Sequence, residues 1–169
     1  MSGHVMAKSP EPLRANSLVI VADDFVVDAY HNGQRIPDSR RQLLLDRFGA
    51  TVERITVQVR KGDWLVSNVV NNRLRWGGAY YFAVAGCLKP NKFGFVSNAG
   101  SGDWSACAAF ANVHRFITRK HYLVGRAAVD VHHPWQEGNV LMQQYAGASW
   151  SGTPLWGPAR NAWIKVNVP

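Results

Sequence analysis

The chain has 169 residues, of which 47% are hydrophobic and 18% charged, and its formal net charge at pH 7 is +8. This composition predicts one folded domain with a sizeable core and excludes a disordered chain. No apolar run approaches the ~20 residues that a membrane-spanning helix needs, so no membrane span is expected. We expect residues 1–16 to be a flexible lead-in without a signal peptide, followed by a single domain over residues 17–169. Localisation stays open, and is extracellular if the chain belongs to a longer exported protein.

The positive charge raises the hypothesis of nucleic-acid binding, because clustered Lys and Arg neutralise phosphates. However, the basic residues are scattered, and the densest points are the dipeptides Arg40–Arg41, Arg60–Lys61 and Arg119–Lys120. No run of five like charges occurs. A solvated basic surface is therefore the favoured interpretation, and binding of nucleic acid or another polyanion is the alternative.

The two cysteines, Cys87 and Cys107, belong to no CxxC motif, so neither a zinc ribbon nor a haem attachment is indicated. The sequence leaves open a disulfide between neighbouring strands. Two buried free thiols are the favoured alternative.

Strand patterns dominate the first half of the chain. A β-branched apolar run at residues 17–22 is followed by a second run at 25–31, which ends at Asn32-Gly33. Asn-Gly between two such runs favours a two-residue hairpin turn, because a type I′ turn needs positive φ at both central positions.

Further strands are predicted from alternation. Residues 52–59 place Glu53, Ile55, Val57 and Val59 on one face, and after a turn at 60–63 come strands at 64–70 and 79–86. At residues 161–168, alternation places Ala162, Ile164, Val166 and Val168 opposite Trp163 and Lys165.

Helical patterns are few. Residues 39–49 could form one short helix that ends at Gly49, and residues 105–121 have apolar residues at roughly helical intervals. Many short strands with one or two short helices predict an all-β fold, namely a β-sandwich of jelly-roll-like type.

The stretch "ADDFVVDAYHNGQRI" at residues 22–36 carries a family resemblance. It resembles the carbohydrate-binding jelly rolls of the galactose-binding-like class, and it is similar to the protective-antigen-type lectin domains of adhesins. In both, a hairpin of the form Asp-Asp…Tyr-x-Asn-Gly-basic is followed by an alternating strand and a Gly-Asp-x-apolar turn, which look like "ITVQV" and "KGDWLVSNVVNN" here. The resemblance covers residues 17–86, about half the chain.

The resemblance implies that Asp23 and Asp24 bind calcium, which bridges to sugar hydroxyls in the lectin subset. Phe25 follows the pair here, where the family usually has Gly or Ser. Calcium takes 6–8 oxygen ligands, so Asn71, Asn72 or backbone carbonyls would have to complete the shell. The alternatives are that the two carboxylates cap backbone N–H groups, or that Arg35 or Arg73 neutralises them.

The chain contains seven tryptophans. Trp64 and Trp163 fall within strand patterns and are expected in the core. Four others, Trp76, Trp104, Trp150 and Trp156, stand among Gly, Asn, Ser and Pro, where loops are expected. There a ring can stack on the apolar face of a sugar while Asn and Arg bind its hydroxyls. The predicted ligand-binding residues are Asn71, Asn72, Arg73, Arg75, Trp76, Trp104 and Trp150, with Trp156 as a further loop tryptophan. The alternative is that these rings plug the ends of the core.

The strongest indication of catalysis is "VDVHHPWQEG" at residues 129–138, where Asp130, His132, His133 and Glu137 could bind a metal or transfer protons. Neighbouring residues of an extended chain point to opposite faces, which favours a structural interpretation. No nucleophile, phosphate-loop or zinc-protease motif is present.

The leading hypothesis is therefore a non-catalytic carbohydrate-binding, lectin-like module that is assisted by calcium and binds a glycan or polysaccharide. The second is a structural or self-associating domain with a basic surface, which leaves homo-oligomer formation open. The third is a glycan-active enzyme.

Overall fold

The computed structural model describes residues 10–47, 50–71, 81–108, 112–123 and 135–169. In chain order its elements are β1 (Leu13–Asp23), β2 (Phe25–His31), β3 (Gln34–Arg35), β4 (Arg41–Arg47), β5 (Ala50–Arg60), β6 (Trp64–Val70), β7 (Tyr81–Lys89), β8 (Lys92–Val96), β9 (Trp104–Ala108), α1 (Val113–Thr118), α2 (Trp135–Tyr145) and β10 (Asn161–Asn167). The strands form two five-stranded antiparallel sheets, in the orders β4-β5-β1-β7-β8 and β3-β2-β6-β10-β9. The prediction of an all-β sandwich with two short α-helices is confirmed for the described residues.

Apolar side chains fill three layers of this sandwich. The central layer lies between the two sheets and includes Ile20, Ile55, Phe82 and Ile164. Helix α2 covers the outer face of the first sheet, where Met142 packs among residues of β1, β5 and β7. On the second sheet, Phe116 and Ile117 of α1 pack with Val66 and Cys107.

The predicted alternation of β5 and β10 agrees with this layering. Ile55, Val57 and Val59 face the central core, and so do the four predicted apolar residues of the last strand, Ala162, Ile164, Val166 and Val168. Trp163 and Trp64 are half-buried and pack against the outer layer under α1. The period of two alone was enough to assign these faces.

The Asn32-Gly33 hairpin is confirmed. Tyr30 pairs with Arg35 and His31 pairs with Gln34 across the turn, and Asn32 and Gly33 have φ values of 49° and 84°. The Asn32 side-chain oxygen accepts the backbone N–H of Trp64 at 3.0 Å, which fixes the turn against β6.

Both helix predictions need correction. A helix over 39–49 is wrong, because only Asp38–Arg40 form a 3₁₀ turn and β4 then pairs with β5. A helix over 105–121 is also wrong at its start, since β9 pairs with β10 and α1 covers only Val113–Thr118. In both segments long-range strand pairing overrides local helical spacing.

Other details of the chain are now assigned. Strand β1 begins at Leu13 rather than at residue 17. Cys87 and Cys107 are buried free thiols, and burial raises the pKa of Cys107 to about 11. Neither helix in the described part of the chain is long and apolar enough to cross a membrane.

Lys165 of β10 is fully buried beneath α1 and the turn that follows it. Its Nζ donates hydrogen bonds to the carbonyl oxygens of Arg119, at 3.0 Å, and Tyr122, at 2.9 Å. The ammonium also lies 4.2 Å from the ring centroid of Phe116, which is within cation–π range. Burial lowers the pKa of Lys165 to about 8, and nearby Cys107 only partly opposes this shift.

We predict that the stability difference between wild type and Lys165→Met depends on pH. The pKa of Lys165 is about 8 in the folded state and about 10.5 in an unfolded chain, so in this window the unfolded chain binds more protons. The contribution of Lys165 to the free energy of unfolding therefore rises by up to about 3 kcal/mol as the pH increases from 8 to 10.5. This gain is lost as the pH falls back through 8. Urea unfolding between pH 7 and pH 10 measures this.

The matched control is Lys89→Met, which removes an exposed ammonium. The difference in the free energy of unfolding between Lys89→Met and wild type should stay constant over the same pH range. Parallel pH profiles for wild type and Lys165→Met would contradict the prediction.

Candidate functional site

The two adjacent aspartates lie at a corner of the sandwich, where the chain leaves β1 in one sheet and enters β2 in the other. Both carboxylates are buried, with Asp23 6% and Asp24 0% exposed. The Asp24 N–H donates to the Val70 carbonyl oxygen at 3.0 Å, and the Thr51 hydroxyl donates to the Asp24 carbonyl oxygen at 2.8 Å. The corner is thereby tied to both sheets; we call it the aspartate corner.

Asn71 also reaches the aspartate corner. Its side-chain nitrogen lies 3.4 Å from both the carbonyl oxygen and the carboxylate Oδ1 of Asp23. The backbone N–H of Asn71 donates to the Arg160 carbonyl oxygen at 2.8 Å, which holds this residue in place after β6. The structure therefore brings together three of the residues that the sequence selected for ligand or metal binding.

Tyr81 reports the electrostatics of this corner. It opposes Asp23 across β1 and β7 and is fully buried. Its pKa is raised, first by burial and then by the negative charges of Glu137, Asp23 and Asp24, while Arg47 acts in the opposite direction. Arg47 also forms an ion pair with Glu137 at the start of α2. Three carboxylates thus act on the pKa of Tyr81.

A cleft of about 410 Å³ opens beside the aspartate corner, between the edge strand β4 and the start of β2. Its lining combines apolar, carboxylate, guanidinium and hydroxyl groups, from Phe25, Val26, Asp38, Arg41, Leu43, Asp46, Thr51 and Glu53. Leu43 is 57% exposed, and Asp46 is also exposed. Because Phe25 follows Asp24 directly and Thr51 binds the Asp24 carbonyl, the cleft and the aspartate corner share one wall. We call this cleft the edge cleft.

Arg41 and Glu53 close the inner side of the edge cleft. The guanidinium forms a bidentate pair with Glu53, in which Nη2 and Oε2 are 3.0 Å apart. The same guanidinium donates to the carbonyl oxygens of Val26 and Val27 in β2, each at 2.9 Å. The hydrogen bond with Glu53 raises the pKa of Arg41 in spite of burial. One side chain therefore links both sheets where the sandwich is open.

The structure corrects the expectation for the loop tryptophans. Trp104, Trp150 and Trp156 are each at most 4% exposed and pack into the apolar clusters. Their indole rings are covered by neighbouring apolar side chains, so the prediction of exposed stacking platforms at these positions is wrong. The small polar neighbours that suggested loops surround rings that instead plug the core.

Several predicted residues lie outside the described part of the chain: Asn72, Arg73, Arg75, Trp76, Asp130, His132 and His133. Of the two arginines considered as partners of the aspartates, Arg35 instead pairs with Asp28 and Asp38.

The oxygen donors at the aspartate corner fit part of a calcium shell. Asp23, Asp24 and Asn71 supply hard oxygen donors, whereas calcium takes 6–8. Within the described residues, no group of three or more His, Cys, Asp or Glu side chains converges on one ion position. Backbone carbonyls would have to supply much of the remaining coordination.

Sequence reasoning missed Tyr81 and Arg41 and did not place Glu137 near the aspartate corner, because only long-range packing brings these residues to this region. Tyr81 enters through the register of β1 and β7, Glu137 enters through α2, and Arg41 enters through the edge strand β4. One signal was available: Glu53 falls on the apolar face of an alternating strand, which implies that a cation must face it.

Comparisons with family models, with curated proteins and with solved structures found no match. The geometry of the site is therefore the basis of the functional argument.

We predict that Arg41→Gln lowers the free energy of unfolding by about 3–5 kcal/mol, because it leaves a buried carboxylate without its cation. Glu53 is 7% exposed, so water cannot replace the guanidinium. The double variant Arg41→Gln/Glu53→Gln should lose less than the sum of the two single variants in urea unfolding.

Arg35→Gln is the control, since it breaks the two ion pairs, with Asp28 and Asp38, of an arginine side chain that is 48% exposed. It should destabilise the fold much less than Arg41→Gln does, because solvent screens an exposed pair. If Arg41→Gln costs no more than Arg35→Gln, Arg41 does not hold the sheets together.

Proposed function

We propose that the chain is a non-catalytic carbohydrate-binding, lectin-like module whose glycan binds in the edge cleft beside the aspartate corner. The observation that supports this most is the mixed lining of the cleft. Its volume of about 410 Å³ falls in the range of small-molecule sites, about 300–1,000 Å³.

The lining suits the two kinds of surface that a sugar presents. Phe25 is half-buried and Leu43 is exposed, so both can pack against the apolar C–H face of a sugar ring. The carboxylates of Asp38 and Asp46 can accept hydrogen bonds from its hydroxyls. A sugar bound there replaces water on apolar groups and keeps its hydroxyls paired.

Binding fits the cleft better than catalysis does. Glu53 is held by Arg41, and Asp38 accepts a hydrogen bond from Arg35 at 2.8 Å. Both carboxylates are thereby positioned as hydrogen-bond acceptors, whereas a glycosidase needs one carboxyl group that stays protonated to act as an acid. These pairings support recognition without turnover.

We further propose that calcium assists binding through the aspartate corner. Asp23, Asp24 and Asn71 would supply oxygen ligands of the kind that calcium takes. Calcium bound there would supply coordination for sugar hydroxyls.

We predict that Leu43→Ser and Asp46→Asn each weaken glycan binding at least tenfold, because one removes an apolar contact and the other a charged acceptor. Both residues are exposed, so melting temperatures should stay within a few degrees of wild type. A glycan array identifies the ligand, and calorimetry on that ligand gives the affinities.

Val140→Ser is the matched control, since it removes an apolar side chain that is 61% exposed on α2. Its glycan affinity should equal that of wild type. Wild type that binds no glycan, or Leu43→Ser that binds like wild type, would refute the site in the edge cleft.

We predict that calcium raises the melting temperature of the wild-type chain relative to chelator. A ligand that binds only the folded state stabilises it by about 2.7 kcal/mol at 100 times its dissociation constant, which amounts to several degrees. Asp46→Asn should keep this calcium response, whereas Asp23→Asn should lose it. Equal wild-type melting temperatures in calcium, magnesium and chelator would remove calcium from the proposal and leave glycan binding in the edge cleft to be judged by the Leu43 and Asp46 variants.

A further inference from the structure

Two basic segments that are far apart in sequence meet at the end of the sandwich opposite the aspartate corner. One is the turn between β5 and β6, which contains Lys61, and the other follows α1 and contains Arg119 and Lys120. The Lys120 Nζ lies only 3.6 Å from the position that a Cβ on Gly62 would occupy. Arg115, one helical turn before Arg119, is also exposed.

We call these four cations, Lys61, Arg115, Arg119 and Lys120, the basic patch. Arg60 is not counted, because its guanidinium donates to the Glu11 carbonyl oxygen at 2.9 Å.

The backbone beneath the basic patch is fixed on both sides. In the turn, the N–H groups of Lys61 and Gly62 donate to carbonyl oxygens of Pro12 and Val168, each at 2.9 Å. In the other segment, Lys165 holds the carbonyl oxygens of Arg119 and Tyr122. The cations therefore stand on a preorganised surface, which reduces the ordering cost when a partner binds.

The acids next to this charge adjoin the first segment, where Glu11 precedes Pro12 and Asp63 belongs to the turn. Residues 112–123 contain no Asp or Glu. Asp63, in the turn itself, accepts hydrogen bonds from the His31 ring and from the Arg60 N–H, each at 2.9 Å. Its carboxylate is directed towards these donors.

We propose that the basic patch is a binding surface for an acidic polysaccharide, recognised through its sulfate or carboxylate groups. Arginine guanidinium groups and lysine ammonium groups form charge-assisted hydrogen bonds with such anions. Among the described residues, α1 has only six residues and α2 packs on the first sheet, so neither is available to enter a nucleic-acid major groove. A flexible polysaccharide needs no such element. This inference does not rest on the proposed function, because the two sites lie at opposite ends of the sheets.

The test is binding of the full chain to immobilised heparin as the sulfated probe and to polygalacturonate as the carboxylated probe. A neutral dextran surface and a DNA duplex serve for comparison. The DNA duplex is matched in charge to the acidic polysaccharides. Wild type should bind at least one acidic polysaccharide at about 0.1 M salt, more tightly than DNA, and should ignore dextran. Lys61→Gln/Lys120→Gln should bind at least tenfold more weakly. The slope of its log affinity against log salt concentration should be less steep by about two.

Arg40→Gln/Arg160→Gln is the matched control, since it removes two exposed cations outside the basic patch. Its affinity should stay within about twofold of wild type. Equal losses in the two double variants would overturn the proposal in favour of net charge alone. So would a wild type that binds neither acidic polysaccharide, or one that binds DNA more tightly. Leu43→Ser should bind the acidic polysaccharide like wild type, which separates this test from that of the edge cleft.

Discussion

The Arg41–Glu53 pair is the interaction on which the open edge of the sandwich depends. Alternation in β5 places Glu53 on the same face as Ile55, Val57 and Val59, so an acid points into the space between the sheets. A buried carboxylate is tolerated only when a cation and hydrogen bonds compensate for lost water. Arg41 does this from β4, and its remaining N–H groups reach β2 in the opposite sheet. Because a polar clamp takes the place of apolar packing here, the edge remains a cleft beside the aspartate corner.

Lys165 uses the same physics on the outer face of the second sheet. Its ammonium binds carbonyl oxygens of irregular chain after α1, and thus fixes a segment that no strand ladder holds. In both places a cation that is buried or half-buried donates hydrogen bonds to backbone carbonyl oxygens. Each of the two proposed binding surfaces lies beside one of these cations, which gives it a rigid backbone. The cost of burying the charge is visible at Lys165, whose pKa is lowered to about 8.

The sequence predicted what local periodicity can determine. Residues 52–59 and 161–168 have a period of two, and their faces follow from it. Asn32-Gly33 has residue types that adopt the positive φ angles of its turn with little strain. The prediction of a helix over residues 39–49 was wrong because three consecutive leucines, Leu43, Leu44 and Leu45, are compatible with a helix or a strand. Pairing with β5 makes the segment a strand. The burial of Trp104 and Trp150, and the approach of Glu137 to the aspartate corner, depend on contacts between distant segments. Local composition does not encode these contacts.

The fold also sorts charge in a way that the net value of +8 conceals. Five of the eleven acidic residues form the aspartate corner or line the edge cleft: Asp23, Asp24, Asp38, Asp46 and Glu53. The basic patch lies at the opposite end, where three of its four cations stand on a twelve-residue segment without acids. Asp38 and Glu53 form ion pairs with Arg35 and Arg41, so the cleft carries less negative charge than its acids alone would give. Neutral hydroxyl-rich ligands meet no electrostatic barrier there. On the proposed assignments, the sandwich separates a site that selects by shape and hydrogen bonding from one that selects by charge, and salt should weaken only the second.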